Sequence, residues 1–211
     1  MITQQILCDI IKDYKGISYK RGFSQKVWFL NDCKLNGNYL NITVVKWEKP
    51  NPPIKFAIIR EPIERFVSFY GHFCKKLDQC EQRNIHQFAV WIDFLITNHS
   101  DPLSWSPTLI NHGLPQTRFC HLTSDKSLLF VHYSQNRTQM EEELLNVFEK
   151  AKIPRDLAQK ALQHLHHSST YHASNDSDRF VFTEAVAKNP KTIAILRKLY
   201  KEDFMFWKTH L

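Results

Sequence analysis

The pattern of apolar positions changes along the chain, and each pattern predicts a different kind of element. Near the N-terminus, apolar residues recur at helical spacing over residues 2–14, which predicts an amphipathic helix. Two short apolar runs, at residues 54–59 and 127–133, have the length and composition of buried strands, and residues 38–47 predict another. The helical period returns at residues 62–77, 86–97, 138–151, 154–166 and 190–207.

Between these elements, turn-forming residues predict a long surface loop over residues 98–121 and a polar loop over residues 168–178. Strands that alternate with helices of crossover length indicate an α/β fold with a parallel sheet flanked by helices. A chain of 211 residues suffices for one such fold. We therefore predict a single domain over residues 1–211.

The junction between the second predicted strand and the next helix carries the most specific chemistry. Arg60 ends the apolar run, and Pro62 suits the first turn of a helix because its φ is fixed and it lacks an N–H. Glu64 and Ser68 follow at helical spacing. At the carboxyl end of a parallel strand, a guanidinium and a hydroxyl suit a phosphate monoester. The alternative is that Arg60 pairs with Glu64 or Glu61 and only shapes the turn.

The net charge predicts that the partner is an anion but does not identify its class. The formal net charge of +7 favours a nucleotide, an acidic glycan or nucleic acid equally. Nucleic acid is disfavoured because no helix-turn-helix, zinc-finger or RNP-type motif is present. His164, His166, His167 and His172 invite a metal hypothesis, but no acidic residue or cysteine close in sequence completes a ligand set, so no metal is expected.

Four glycosylation sequons together favour a protein of the secretory pathway. No stretch reaches the length of a transmembrane helix, and the N-terminus does not resemble a signal peptide. A disulfide could form among Cys74, Cys80 and Cys120, with the pairing left open; five free thiols in a cytosolic protein are the alternative. The Asn-x-Ser/Thr sequons lie at Asn41, Asn98, Asn136 and Asn175.

Residues 60–68 resemble the 3′-phosphate-binding motif Arg-Asp-Pro-x-x-Arg-x-x-Ser of the Golgi carbohydrate sulfotransferases, with Glu61 in place of Asp. The resemblance implies a P-loop-type sulfotransferase fold and 3′-phosphoadenosine 5′-phosphosulfate (PAPS) as the sulfuryl donor. It also implies a glycan or glycoprotein hydroxyl as the acceptor, and a location in the Golgi lumen or secretory pathway. On that resemblance Arg60 and Ser68 hold the 3′-phosphate of the nucleotide.

Two further segments resemble the same family. Residues 111–120 are similar to its His-x-x-Pro-x-x-x-x-Cys segment, which makes His112 a candidate catalytic base; the alternative is that His112 caps a turn. Residues 199–204 are similar to its closing Tyr-x-x-Asp-Phe helix, where we interpret Tyr200 and Phe204 as core. A histidine- and serine-rich loop near the nucleotide adds Ser168, Ser169 and Thr170 as weaker donors.

One part of the family pattern is not found in the sequence. The family's 5′-phosphosulfate loop is expected directly before the helix at residues 2–14, and the chain given starts at Met1. We therefore expect an N-terminally truncated sulfotransferase fold. The first alternative function is a catalytically impaired or inactive chain that at most binds the nucleotide, and the second is a basic nucleic-acid-binding domain.

Overall fold

A computed structural model describes residues 6–7, 9–10, 54–98, 107–119, 122–167 and 176–210 of the chain. Residues 6, 7, 9 and 10 are helical, as the pattern over residues 2–14 predicts. The strand predicted at residues 38–47 lies outside the described residues. Contacts divide the chain into two compact units, which we call the first unit (Met1–Phe56 with Ser134–Ala173) and the second unit (Ala57–Tyr133 with Ser174–Leu211).

The described strands, β1 (Lys55–Ile59) and β2 (Leu128–His132), pair in parallel. Just beyond the sheet, the Tyr133 N–H donates to the Ile59 carbonyl at 2.7 Å. Both strand predictions and the α/β class are confirmed, and the P-loop-type arrangement stays a prediction. On one side, Ile59 packs in a small cluster with Leu122 and Phe206.

Helices make up most of the remaining described chain. In chain order they are α1 (Pro62–Tyr70), α2 (Ile85–Asn98), α3 (Pro107–Gly113), α4 (Arg137–Lys150), α5 (Arg155–Leu162), α6 (His164–His167), α7 (Asp176–Ala187), α8 (Pro190–Leu199) and α9 (Lys201–Thr209). None of the helices in the described ranges is long and apolar enough to cross a membrane.

Helix α1 begins where the sequence predicts it. The Glu61 carboxylate accepts a hydrogen bond from the Glu64 N–H at 2.7 Å, which caps the helix, and Pro62 occupies the first turn. Its buried face joins α2, α7 and α8 in the main core of the second unit. Each large side chain buried there stabilises the fold by about 1.5–3 kcal/mol. The α1 members of this core are Phe66, Val67, Phe69 and Tyr70.

After Tyr70 the helix widens into a π-helix, Gly71–Lys76, so the helix predicted over residues 62–77 has two parts. A disulfide joins Cys74 at its end to Cys80. The structure thus supplies a pairing that the sequence left open. Between the two cysteines the chain turns sharply, and Asp78 there has a positive φ of 50°.

The prediction of a surface loop over residues 98–121 was wrong where the structure describes it. The segment contains α3 and a 3₁₀ helix, Gln116–Arg118, and residues 113–117 are buried. Pro107 is the first residue of α3, a position that suits proline. The buried backbone at Gln116 and Thr117 is satisfied by hydrogen bonds to Asp203 rather than by water.

Three helix boundaries also differ from the predictions. The predicted helix over residues 190–207 breaks at Tyr200, whose hydroxyl donates to the Gly113 carbonyl at 2.9 Å. The one over residues 154–166 breaks at Gln163. Helix α7 begins at Asp176, inside the predicted polar loop, and continues to Ala187, where no helix was predicted.

In the first unit, α4 packs on α5 and α6. Asn136 caps α4 by accepting from the Gln139 N–H at 3.3 Å. The buried face of α4 includes Met140, Leu144, Val147 and Phe148, and that of α5 includes Ala158, Ala161 and Leu162.

Candidate functional site

Arg60 lies directly after β1, at the carboxyl end of the strand, as the sequence predicts. Its side chain is only 15% exposed, and its guanidinium carbon lies 4.3 Å from the centre of the Tyr133 ring. This stacking fixes the guanidinium plane over an aromatic face. Burial lowers the pKa of Arg60 from its usual value. A buried, fixed guanidinium is therefore the central feature of this site.

Two donor atoms of this guanidinium are unbonded within the part of the chain that the structure describes. Arg60 Nε and Nη2 are buried and have no hydrogen-bond partner among the described residues. Buried donors without partners are rare because each costs about 1–3 kcal/mol. An oxyanion accepting from both nitrogens would remove this cost, since the planar fork matches two oxygens of a phosphate.

Pairing with Glu64 does not account for Arg60 by itself. The Glu64 Oε2 atom lies 3.6 Å from Arg60 Nε, which is too long for a hydrogen bond, and the Glu64 side chain is 36% exposed. Exposed ion pairs contribute roughly 0–1 kcal/mol. The sequence alternative, in which Arg60 pairs with Glu64, is thus present as a weak ion pair, and Arg60 Nε and Nη2 have no hydrogen-bond partner among the described residues.

The backbone of Arg60 is held by Gln116. The Gln116 carboxamide accepts from the Arg60 N–H at 3.2 Å and donates to the Arg60 carbonyl at 2.7 Å. The Gln116 side chain thus bonds both the N–H and the carbonyl of Arg60, and these two hydrogen bonds fix the backbone of Arg60 at the strand end.

Asp203 in turn holds Gln116. Its carboxylate is fully buried and accepts from the Gln116 N–H at 2.8 Å, the Thr117 N–H at 2.9 Å and the Thr117 hydroxyl at 2.7 Å. Arg65 lies close enough for its charge to interact with Asp203; burial lowers the pKa of Arg65, while Tyr200 and Asp203 oppose this change. We call this arrangement the Asp203–Gln116–Arg60 chain.

Sequence reasoning did not assign Gln116 or Asp203 to the site. The two residues are 87 positions apart, and no local pattern links them. Both nevertheless lie inside segments that resemble the family, at residues 111–120 and 199–204. That resemblance is the one signal that could have found them. Tyr200, interpreted as core, is fully buried, and Phe204 is partly buried against the same core.

Ser68 lies on α1, one helical turn after Glu64, and is half-buried. It belongs to the same strand–helix segment as Arg60, and within the described residues no hydrogen bond joins the two side chains. Its hydroxyl can serve as an additional donor for a ligand that reaches the α1 surface.

His112 lies in the last turn of α3 rather than in a loop, and it is exposed. Its ring stacks on Phe69, the neighbour of Ser68, with centroids 6.2 Å apart and planes 13° apart. The His72 ring lies 5.3 Å from it. Two imidazole rings therefore lie close together beside α1. His72 was not predicted as a site residue, because its position directly after α1 is its only sequence signal.

The two lysines at the end of the π-helix have ordinary surroundings. Lys75 and Lys76 are exposed, and the Lys75 ammonium lies 5.7 Å from the Tyr70 ring centre. This agrees with a solvated helix face. Ser168, Ser169, Thr170 and His172 lie outside the described residues.

Two of the histidines considered as metal ligands, His164 and His166, each lie beside a carboxylate. His164 Nε2 lies 2.6 Å from Asp9 Oδ2, and His166 Nε2 lies 2.7 Å from Glu141 Oε2. Within the described ranges, no group of three or more potential metal ligands converges.

Comparison with known proteins identifies the family. A model of the "Sulfotransferase family" matches residues 8–208. The chain is 22% identical over 201 residues to "Carbohydrate sulfotransferase chst-1" of Caenorhabditis elegans, covering 86% of this chain and 61% of that relative. No solved structure matches the chain. The resemblance read from residues 60–68 is confirmed: the chain belongs to the sulfotransferase family.

Proposed function

We propose that this protein transfers a sulfuryl group from PAPS to a hydroxyl group of a glycan. The observation that carries the proposal is the Arg60 guanidinium at the carboxyl end of β1, which is fixed and buried and has two donors that no described residue bonds. Membership of the sulfotransferase family supports the reaction type, and the similarity to a carbohydrate sulfotransferase supports the acceptor class.

Each residue has a defined role in this proposal. Arg60 donates to two oxygens of the 3′-phosphate and Ser68 donates to a third, which holds the adenine nucleotide at the strand end. In the transfer, the acceptor hydroxyl oxygen bonds to sulfur, the bond from sulfur to the 5′-phosphate oxygen breaks, and the hydroxyl proton passes to a base. His112 is our candidate for that base, because an imidazole can take up a proton near neutral pH.

The Golgi lumen or secretory pathway is the proposed location. The Cys74–Cys80 disulfide supports it, since such bonds persist in oxidising compartments. The relative with a carbohydrate sulfotransferase name points the same way. The net charge of +7 favours an acidic glycan or glycoprotein as acceptor.

Calorimetric titration with 3′-phosphoadenosine 5′-phosphate tests the nucleotide site. We expect the unmodified protein to bind it, and Arg60→Ala to weaken binding by about 10- to 100-fold, because charge-assisted hydrogen bonds contribute about 1.5–3 kcal/mol. Arg197→Ala, which removes an exposed arginine of α8, should bind normally. Absence of binding by the unmodified protein would overturn the proposal.

Transfer of labelled sulfate from PAPS to a set of glycans tests turnover. His112→Asn should reduce the rate by about 10²–10⁴-fold without changing nucleotide affinity, because it removes only the base. His167→Asn, at an exposed position of the first unit, should leave the rate unchanged. Nucleotide binding without transfer to any glycan would instead favour the inactive, nucleotide-binding alternative.

A further inference from the structure

One of the four glycosylation sequons, at residues 136–138, lies entirely within the described part of the chain. The sequons at Asn41 and Asn175 begin outside the described residues, and the one at Asn98 continues past the end of α2 into residues that lie outside them too. Asn136 is therefore the position at which the complete tripeptide can be examined in the fold.

The backbone places Asn136 at the surface, directly before α4. It is the N-cap residue of that helix, with φ −72° and ψ 96°, and its N–H donates to the Ser134 hydroxyl oxygen at 3.0 Å. Asn136 and Thr138, which carry the two functional side chains of the sequon, are both exposed, and so are Gln135 and Gln139. A bulky hydrophilic group attached to Asn136 would extend into solvent without displacing a buried side chain.

The two polar atoms of the Asn136 carboxamide have separate uses. Oδ1 accepts from the Gln139 N–H at 3.3 Å and caps α4. Nδ2, the atom that carries the sugar in an N-linked glycan, makes no hydrogen bond to a described residue. Replacing one Nδ2 hydrogen with a sugar carbon leaves Oδ1 as an acceptor, so the helix cap and a glycan are compatible.

Asn98 differs from Asn136 in the use of its amide nitrogen. It is the last residue of α2, and its Nδ2 donates to the Phe94 carbonyl at 3.0 Å. Asp and Ser cap helices about as well as Asn does, so capping alone does not require a carboxamide at position 136. A free amide nitrogen is what Asn136 adds to a cap that other residues could also supply.

We infer that Asn136 carries an N-linked oligosaccharide. The inference rests on the secretory-pathway location in the proposed function, because it requires a lipid pyrophosphate-linked oligosaccharide as the sugar donor. In the transfer, Asn136 Nδ2 bonds to the anomeric carbon of the first N-acetylglucosamine and releases one proton. The bond from that carbon to the pyrophosphate oxygen breaks, and the lipid pyrophosphate leaves with its electron pair.

Mass spectrometry of the full-length protein made in eukaryotic cells tests this inference. Peptide N-glycosidase in heavy-oxygen water converts each glycosylated Asn to a labelled Asp, and we expect the label at Asn136 in most molecules. Asn136→Asp retains the capping oxygen and Thr138→Ala retains Asn136 itself, so both variants should fold. Each should lose one glycan, seen as increased mobility on a denaturing gel, whereas Thr138→Ser keeps the hydroxyl and should keep the glycan.

Asn189→Asp is the matched control. Asn189 also caps a helix, by accepting from the Thr192 N–H, but Pro190 and Lys191 follow it, so it is not part of a sequon. This variant should change neither the label nor the mobility.

The pattern of labelled positions separates the inference from the location on which it rests. Label at another sequon with none at Asn136 would overturn the inference and leave the secretory location standing. Absence of label at every sequon would overturn both. The nucleotide titration does not involve Asn136, so it decides the transfer reaction separately.

Discussion

At the scale of single residues, Asp203 is the most consequential side chain outside the proposed nucleotide contacts. Asp203→Asn replaces a carboxylate that accepts three hydrogen bonds with a carboxamide. The NH₂ group of the carboxamide is a donor and cannot accept from the buried donors that Asp203 now satisfies. We expect Asp203→Asn to lower the free energy of unfolding by about 3 kcal/mol. Chemical denaturation measures this change.

The matched control is Asp93→Asn. Asp93 pairs with Lys198 at 3.2 Å on the surface, where the Lys198 side chain is 64% exposed. Removing that pair should cost less than about 1 kcal/mol. Equal effects of the two substitutions would contradict the assigned role of Asp203. Asp203→Asn should also weaken nucleotide binding, because Gln116 then no longer fixes the backbone of Arg60.

The burial of Glu61 predicts the sign of a pH dependence in the stability of the fold. Burial raises the pKa of Glu61 from its ordinary value of 4.5, despite the hydrogen bond from the Glu64 N–H. The folded state therefore holds this proton more tightly than the unfolded chain does. Its contribution to stability is fully present below pH 4.5 and is lost as the pH rises through the folded-state pKa.

Denaturation at a series of pH values checks this expectation. The difference in unfolding free energy between the unmodified protein and Glu61→Gln should shift against the unmodified protein as the pH rises through this window, because Gln does not titrate. Glu142→Gln, at an exposed position of α4, should track the unmodified protein at every pH. The opposite slope for Glu61 would show that the hydrogen bond, rather than burial, dominates its pKa.

Site residues that are close together in the sequence could be predicted, whereas contacts between residues far apart in the sequence could not. Arg60 and Pro62 could be placed because a strand end, a proline and a helical pattern stand side by side in the sequence. Gln116 bonds to Arg60 across 56 residues and to Asp203 across 87. A local sequence pattern contains no information about such distant pairs. The roles of Gln116 and Asp203 in supporting Arg60 therefore could not be predicted from composition or periodicity.

At the scale of elements, the Cys74–Cys80 disulfide ties the end of the π-helix to the turn before α2. The double variant Cys74→Ala/Cys80→Ala should lose about 2 kcal/mol of unfolding free energy, because a short closed loop restricts the unfolded chain modestly. Thermal unfolding with and without a reducing agent measures the effect. The unmodified protein should respond to the reductant more strongly than the double variant does; an equal response would contradict the pairing.

The two described strands and the start of α1 were predicted because their signals are local. Pro62 and Pro190 occupy the first turns of α1 and α8, and the structure adds the cap of α8, where Asn189 accepts from the Thr192 N–H at 3.0 Å. Helix breaks were missed at Gln163 and Tyr200 because the apolar period continues across each break. In those places tertiary contacts, such as the bond from the Tyr200 hydroxyl to Gly113, decide where the helix ends.

At the scale of the whole molecule, the family was recognisable because its most specific motif occupies nine consecutive positions, residues 60–68. The single domain over residues 1–211 stays a prediction, and the structure groups Ser134–Ala173 with Met1–Phe56 as one of two compact units. Periodicity reports which face of an element is buried, but it does not report which element covers that face.

The net charge of +7 yields a prediction about the acceptor. Binding of an acidic glycan should weaken strongly between 0.1 M and 1 M salt, because the screening length falls from about 10 Å to about 3 Å. The Arg60-dependent nucleotide affinity should fall less, since that guanidinium is buried. Titrations at several salt concentrations check both. Duplex DNA that bound as tightly as the glycan, without dependence on Arg60, would favour the nucleic-acid alternative.

The position of Asp203 in the chain also sets when the Arg60 site can form during protein synthesis. Arg60 leaves the ribosome early, whereas the carboxylate that holds Gln116 and Thr117 is made 86 or 87 residues after them. Until α9 is complete, the turn that fixes Arg60 lacks its anchor. A nascent chain halted after α8 would thus contain all of residues 60–68, the proposed phosphate-binding motif, without the support that orients Arg60.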